Sequence, residues 1–400
     1  MTNSARNIAL TAALLLTTAF PVFAQDGGPQ VAPPKPAAPK PAAPKLTAEP
    51  VRAVDVAICL DTSGSMDGLI DSAKQKLWTI VNDLALAKPT PYLRVSLVTF
   101  GNTGHLEENG WVHVQTDLTE NLDLVSERLF ELKTNGGTEL VGRAIHTATR
   151  KLTWSKDKDA LKIIVIAGNE SADQDATIRY ADACKDAIGR GVMVNAIYCG
   201  SPTDGVAEEW RQVARLADGH FATIDKDNGT VVVVTPFDEK LTKLSASVNR
   251  TYVPYGKLGA WNRSNQIKQD ANAVGLNSEA AACRSAMKCG VNYRNDSWDL
   301  VDAMKQKGFD LAKIEDKDLP EDMRKLTLEE KKAHLEKRRK ERLVIQKQVQ
   351  ELSKKRDAFL VEAMKKGTGR QDKAFDFAVR KAIRAQATSR GFRFVDAAVE

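Results

Sequence analysis

Histidine, cysteine and aromatic residues are scarce in this 400-residue chain. It contains five histidines, five cysteines and only 6% aromatic residues. So few cysteines in a chain of this length exclude a small domain built on disulfides. The sequence also has no HExxH pair, no GxSxG elbow and no P-loop, which are signatures of zinc proteases, serine hydrolases and nucleotide hydrolases. We therefore expect a protein that is not an enzyme.

Long hydrophobic runs and a strong excess of one charge are missing as well. No apolar run reaches the ~20 residues that a transmembrane helix needs, so we expect no transmembrane span in the mature chain. The formal net charge is only +6, which does not by itself indicate nucleic-acid binding. The 42% hydrophobic fraction is too high for a disordered chain, and the length allows two or three domains. These numbers predict a soluble protein of several parts.

The N-terminus has the features of an export signal. Arg6 supplies a positive charge, residues 8–20 form a short apolar run, and Ala24 ends a stretch suited to cleavage. We expect residues 1–24 to be a signal peptide and the mature protein to be periplasmic or secreted. An uncleaved membrane anchor is the alternative.

Residues 25–52 are predicted to be a linker rich in Pro, Ala and Lys. Residues 25–50 hold 8 of the 15 prolines, and the sequence PKPAA occurs twice. Proline fixes φ and lacks a backbone N–H donor, so such a segment favours an extended polyproline conformation over a packed one. The linker is therefore expected to act as a spacer.

Strands and helices alternate in the pattern of residues 53–252. Runs such as VDVAICL and IIVIA lack polar alternation, as expected for parallel strands that are buried on both faces. Segments with helical periodicity separate them, which predicts an α/β domain with a doubly wound, mostly parallel sheet and helices on both faces. Ligands of such folds bind where the strands end. The predicted strands are 54–60, 93–100, 111–118, 161–167 and 192–198, and the predicted helices are 69–86, 122–132, 139–152, 176–188 and 238–248.

Oxygen-bearing side chains follow the first predicted strand. Asp61, Ser63 and Ser65 occupy alternate positions of the sequence DTSGS, where a carboxylate and two hydroxyls can converge on one point. A second loop, NGGTEL, brings the hydroxyl of Thr138 to the start of a helix. Hard oxygen ligands of this kind suit Mg²⁺. The two loops together predict a divalent-metal site at this edge of the sheet.

In motif order, spacing and strand–helix succession, residues 53–252 resemble the von Willebrand factor type A domain family. The resemblance covers about half of the chain and implies a metal ion-dependent adhesion site. Ser63, Ser65 and Thr138 would then bind Mg²⁺, Mn²⁺ or Ca²⁺ through their hydroxyls, and Asp61 directly or through water. An acidic residue of a protein partner would take the open coordination position. The resemblance therefore implies adhesion or assembly without catalysis.

One position departs from the pattern of this family. The family carries an aspartate in a T-D-G turn after the fourth main strand, whereas here the strand leads into the sequence GNES. Asn169 or Glu170 could supply the oxygen instead, or Asp173 further along the chain. The loss of one carboxylate is expected to weaken metal binding. A degenerate site that binds no metal is the alternative.

The alternation of strands and helices is not predicted to continue into residues 253–400. Residues 253–320 are predicted to be a turn-rich connecting region, and residues 321–400 a charged helical region. Cys283 and Cys289 could form a disulfide in an exported protein, with free thiols as the alternative. A similar helical tail follows the domain in some secreted bacterial proteins.

Hydrophobic residues recur every seven positions in the helix predicted over residues 327–366. This spacing predicts packing along one seam, in a coiled coil or a hairpin. The basic run at residues 337–340 could bind an anionic envelope polymer, and a solvated helix face with Glu336–Lys340 pairing is the alternative. The seam residues are Ile345, Leu352 and Phe359, with Val349 and Ala363 at the intervening positions.

Two functions are compatible with these patterns. The first is an exported module that engages an acidic residue of a partner protein through a bound divalent metal. The second is an envelope scaffold with a vestigial metal site, in which the basic helical tail does the binding. The pattern favours the first, and neither function involves nucleic acid.

Overall fold

The structure is a computed structural model that describes residues 52–224, 232–366 and 370–394. The predicted signal peptide and all but the last residue of the predicted linker lie outside these residues. All of the described residues belong to one compact unit. None of the described helices is both long and apolar enough to cross a membrane.

Eight strands and twelve helices form the described part of the chain. The strands are β1 (Ala53–Asp61), β2 (Ala87–Lys88), β3 (Tyr92–Phe100), β4 (His113–Thr119), β5 (Leu161–Gly168), β6 (Val192–Tyr198), β7 (Phe221–Thr223) and β8 (Arg393–Phe394). The helices are α1 (Ile70–Leu84), α2 (Leu122–Glu131), α3 (Val141–Lys151), α4 (Tyr180–Gly189), α5 (Ala207–Leu216), α6 (Asp238–Asn249), α7 (Gly259–Leu276), α8 (Ser278–Lys288), α9 (Leu300–Ala303), α10 (Glu321–Arg324), α11 (Leu328–Lys365) and α12 (Arg370–Ser389).

A six-stranded sheet in the order β4-β3-β1-β5-β6-β7 lies at the centre. Only β3 and β4 pair antiparallel, and every other pair is parallel. Alternate residues of β1 enter two separate cores: Val56 joins one with α1 and α2, and Ala57 joins the other with α3, α4 and α5. The predicted doubly wound α/β fold is confirmed. Helix α5 and strand β7 were not predicted from the sequence.

The first of these cores also includes the C-terminal helices. Met287 of α8, Val349 of α11 and Ile383 of α12 pack in the same cluster as the β1 residue Val56. In addition, β8 pairs with β2, and α12 contacts α1. The helical C-terminal region therefore covers one face of the sheet and completes its core.

The segment 253–320 differs from the predicted turn-rich region, because α7 and α8 occupy much of it. Helix α7 buries polar residues, namely Asn265, Gln266 and Gln269, and so lacks the apolar periodicity that indicates a helix. Amide side chains on this buried face bond to other elements, such as Gln266 to the Tyr293 hydroxyl at 2.9 Å.

The disulfide predicted between Cys283 and Cys289 is not formed, although both side chains are buried. Cys283 lies inside α8, and Cys289 caps its C-terminal end. A helix rises 1.5 Å per residue, so positions six apart are separated by about 9 Å, more than the ~7 Å between Cα atoms that a disulfide tolerates. The helix therefore keeps the two sulfurs apart.

The predicted long helix is present as α11, but its buried seam differs from the predicted one. Leu335, Arg342, Val349 and Arg356, each seven residues apart, are buried, whereas the Phe359 side chain is 40% exposed. This seam packs against α6, α8 and α9 of the same chain. The heptad spacing therefore reflects intramolecular packing.

The basic run at residues 337–340 lies on the outer part of α11, and three of its four side chains pair within the helix. Arg338 bonds to Glu341 at 3.1 Å, and Arg339 bonds to both oxygens of Glu336 at 2.6 and 2.7 Å. Lys340 also lies 3.9 Å from Glu336. This is the predicted alternative of a solvated face with intrahelical ion pairs.

Candidate metal-binding site

Loops from several parts of the chain meet where β1 ends. Asp61 is the last residue of this strand, which lies between β3 and β5 in the sheet. The Thr62 N–H donates to the Phe100 carbonyl at 2.9 Å, and the Thr62 carbonyl accepts from the Asn135 N–H at 3.0 Å. These backbone bonds connect the loop after β1 to the end of β3 and to the loop that carries Thr138.

The DTSGS segment folds back on its own aspartate. The backbone N–H of Ser63 donates to Asp61 Oδ1 at 2.8 Å, and Ser63 Oγ lies 2.9 Å from Ser65 Oγ. Ser65 Oγ in turn donates to Asn169 Oδ1 at 3.0 Å. Asp61, Ser63, Ser65 and Asn169 are thus joined in one hydrogen-bonded group, although they come from two separate loops.

Asp61 is fully buried, and only one of its two carboxylate oxygens accepts a hydrogen bond. Its Oδ2 atom has no hydrogen-bond partner, whereas Oδ1 accepts from Ser63. Burial raises the pKa of the Asp61 carboxyl to about 7, against the lowering effect of the Ser63 hydrogen bonds, and the charges of Glu139 and Glu170 raise this pKa further. A buried carboxylate oxygen without a donor is costly unless a proton or a cation satisfies it.

The loop that carries Thr138 packs closely against the loop after β3. The Thr103 N–H donates to the Gly136 carbonyl at 2.8 Å. A Cβ atom on Gly137 would lie 2.3 Å from the Gly101 carbonyl oxygen, so this approach requires the glycine. The half-buried Thr138 follows immediately, between Gly137 and Glu139, which both approach Gly101, and just before α3.

The three residues predicted as substitutes for the missing aspartate have different surroundings. Asn169 contacts the serine pair through Ser65, as described above. Glu170 is exposed, and its backbone carbonyl accepts from the Trp210 indole at 2.8 Å. The Asp173 carboxylate instead pairs with Arg179 at 2.8 Å. Of these three residues, Asn169 is therefore the one whose side chain bonds to the DTSGS segment.

The oxygen atoms that meet at this point are suitable ligands for a hard divalent cation. They are oxygens of hydroxyl, amide and carboxyl groups, together with the unpartnered Asp61 Oδ2. In the described ranges, no group of three or more His, Cys, Asp or Glu side chains is arranged to hold a metal. A cation at this point would therefore be held mainly by hydroxyl oxygens around a single inner carboxylate.

Sequence reasoning did not identify Gly101 as part of this site. Its φ is +71°, and a Cβ atom there would lie 2.7 Å from Asp61 Oδ1. The signal that could have identified it is its position, because it directly follows the strand adjacent to β1. A glycine at a strand end next to the candidate carboxylate indicates that the two backbone segments approach each other closely.

Comparison with known proteins is consistent with this geometry. The sequence model of the von Willebrand factor type A domain matches residues 55–239. No protein with a curated description matches the chain significantly.

Three solved structures illustrate the similarity. The SpRpn10 VWA domain has 18% identity and a TM-score of 0.35, covering 46% of this chain and 100% of that one. Proximal thread matrix protein 1 from the mussel byssus, with a zinc-occupied MIDAS motif, has 15% identity and a TM-score of 0.34, covering 44% of this chain and 43% of that one. A von Willebrand factor type A protein from Catenulispora acidiphila has 21% identity and a TM-score of 0.34, covering 44% of this chain and 39% of that one. The present chain thus spans less than half of the mussel and Catenulispora proteins.

The family assignment rests on the sequence model, whose match begins within β1 and ends within α6. It includes every loop of the candidate site. Residues 55–239 of this chain therefore belong to the von Willebrand factor type A domain family.

Proposed function

We propose that this domain binds a partner protein through a divalent cation held at the end of β1. The ion would be held by Asp61, Ser63, Ser65 and Thr138, and Asn169 would complete the set of ligands. The observation that carries this proposal is the Oδ2 atom of Asp61, which is buried and has no donor. The Oδ1 atom of the same carboxyl group accepts from the N–H of Ser63, whose hydroxyl pairs with that of Ser65. A cation can satisfy this oxygen in place of the proton that the raised pKa of Asp61 otherwise retains.

The charge of the site supports an acidic partner. Asn169 stands where the family carries an aspartate, so only Asp61 would contribute a negative charge directly to the ion. When bound, the ion supplies a Lewis-acidic position that a carboxylate of the partner can occupy. The protein oxygens orient the ion, and Asp61 keeps it at the surface end of β1. We propose a binding role without catalysis for this arrangement.

We also propose that the protein acts outside the cytoplasm, either in the periplasm or as a secreted protein. The basis is the sequence of residues 1–24, followed by a proline-rich spacer. Fractionation of the native host, with N-terminal sequencing of the mature chain, tests this part. Recovery from the cytoplasm with Met1 intact would contradict it.

The alternative of binding through the basic helix has less support, because most of residues 337–340 pair within α11.

The metal-dependent proposal is tested by thermal unfolding of residues 25–400 with Mg²⁺ and with EDTA. Binding stabilises the folded state by RT ln(1 + [L]/Kd), so an ion at ~100 Kd adds about 2.7 kcal/mol. Asp61→Ala should abolish this response.

Asp159→Ala is the matched control for this experiment. Asp159 is an exposed aspartate just before β5, at the opposite edge of the sheet from the site, and its replacement should leave the Mg²⁺ response unchanged. Capture of proteins from an envelope extract, with and without EDTA, tests the partner. If neither Mg²⁺ nor Mn²⁺ stabilises the wild type at up to ~10 mM, and EDTA leaves capture unchanged, the proposed function is wrong.

A further inference from the structure

The side chain of a second acidic residue, Glu139, approaches Asp61 over Gly101. A Cβ atom on Gly101 would lie 2.7 Å from Asp61 Oδ1 and 3.1 Å from Glu139 Cγ. The same point is 3.4 Å from Ser63 Cβ. The side chains of Asp61, Ser63 and Glu139 therefore converge above the bare backbone of Gly101. Glu139 directly follows Thr138, so it enters this space from the second loop of the site.

Glu139 is held in this position. Its residue is only 9% exposed, and its Oε2 atom accepts a hydrogen bond from Gln174 Nε2 at 3.2 Å. Two neighbouring, largely buried carboxylates repel each other in the absence of a cation. A cation between or beside them removes this repulsion.

We propose that Glu139 is an outer carboxylate of the metal site and supplies, through a metal-bound water, the second negative charge that Asn169 does not provide. This inference rests on the proposed function, because it concerns the same ion. Glu139 would hold a water of the ion and leave the ion's direct ligands unchanged. Mg²⁺ suits this role, since it loses its waters reluctantly and is often bound partly through them.

Glu170 offers the natural comparison within the same chain. It is exposed and follows β5, which flanks β1 on the side opposite to β3 and Gly101. An exposed charge is screened by solvent, whereas a buried one is not. The two glutamates should therefore contribute very differently to metal affinity.

The test is Mg²⁺ titration calorimetry on residues 25–400 of the wild type and of four variants. Outer-sphere partners of metal ligands typically contribute 10–100-fold to affinity, so Glu139→Gln should raise Kd for Mg²⁺ by at least tenfold. Glu139→Asp keeps the charge and should recover part of this loss. Glu170→Gln should change Kd by no more than about threefold. Asp61→Ala should abolish binding.

The metal-free melting temperature distinguishes a folding defect from a metal defect. Glu139→Gln is nearly isosteric and removes a repulsion, so without metal this variant should melt no lower than the wild type. The inference is overturned if Glu139→Gln binds Mg²⁺ within about threefold of the wild type while Asp61→Ala does not bind. It is also overturned if Glu170→Gln loses as much affinity as Glu139→Gln. In both cases the proposed function stands, whereas a wild type that does not bind Mg²⁺ refutes both.

Discussion

Replacing Asp61 by Asn should change how the stability of the metal-free protein depends on pH. Asn has nearly the same shape but cannot ionise, so it isolates the carboxyl group. The pKa of Asp61 lies at about 7 in the folded protein, compared with an ordinary value of 3.8, chiefly because the group is buried and also because Glu139 and Glu170 are close. The folded protein therefore holds this proton more tightly than the unfolded chain does.

The sign and size of the effect follow from linkage. Because the folded-state pKa is raised, the stabilisation is fully present below about pH 4 and is lost as the pH rises through about 7. Each pKa unit corresponds to about 1.4 kcal/mol, so this one group lowers the free energy of unfolding by about 4 kcal/mol between pH 4 and pH 8. Asp61→Asn should be as stable as the wild type at low pH and more stable by up to that amount at pH 8.

The assay is urea unfolding in EDTA at intervals between pH 5 and pH 8, for the wild type, Asp61→Asn and the control Asp159→Asn. Burial lowers the pKa values of His105 and His146, but both histidines are present in every variant and their contributions cancel in the difference. Mg²⁺ at pH 8 should restore the wild type and leave Asp61→Asn unchanged. An equal difference between wild type and Asp61→Asn at pH 5 and pH 8 would refute the argument from the buried, unpartnered oxygen.

Two further predictions concern the attachment of the C-terminal helices. The Arg342 side chain is buried, donates to Asp299 at 2.7 Å and stacks on Tyr252 at 3.9 Å, so Arg342→Ala should cost about 3–5 kcal/mol in urea unfolding because it leaves a buried carboxylate unpaired. The exposed pair of Arg338 with Glu341 is the control, and Arg338→Ala should cost less than about 1 kcal/mol; equal losses would contradict the argument. The fragment of residues 53–252, which lacks Met287 and Val349 of the shared core, should bind a hydrophobic dye and unfold without cooperativity, whereas residues 53–394 should unfold cooperatively. Cooperative unfolding of the shorter fragment would show that the C-terminal helices are dispensable for the core.

The α/β half of the chain was predictable because its signals are local. The continuous apolar run of β1 and the glycine-rich turn before α3 are each set by neighbouring residues, and the predicted strands and helices of residues 53–252 are present with ends displaced by a few residues. The candidate metal residues were predictable for the same reason. Asp61, Ser63 and Ser65 follow one strand, and parallel strands bring their ends to one edge.

The C-terminal half was less predictable because its burial is polar. Helix α7 buries amide side chains and therefore has no apolar stripe. On α11, Arg342 and Arg356 occupy buried heptad positions, where a sequence pattern predicts hydrophobic residues. Their carboxylate partners, Asp299 and Asp238, lie 43 and 118 residues away along the chain. No local pattern indicates such pairs.

The site divides in the same way between local sequence and tertiary packing. The DTSGS turn, with its Ser63-to-Asp61 hydrogen bond, forms within three residues, so its existence and its oxygen chemistry follow from the sequence alone. The choice of Asn169 over Glu170 and Asp173 depends on tertiary structure, because it requires β5 to lie beside β1 and Ser65 to reach across to the next loop. The approach of Glu139 to Asp61 over Gly101 also arises only when three loops, distant in sequence, pack at one edge of the sheet. Hydrogen bonds and charges between distant residues depend on distances that only the folded chain sets, and these distances decide which acidic side chains meet at the candidate site.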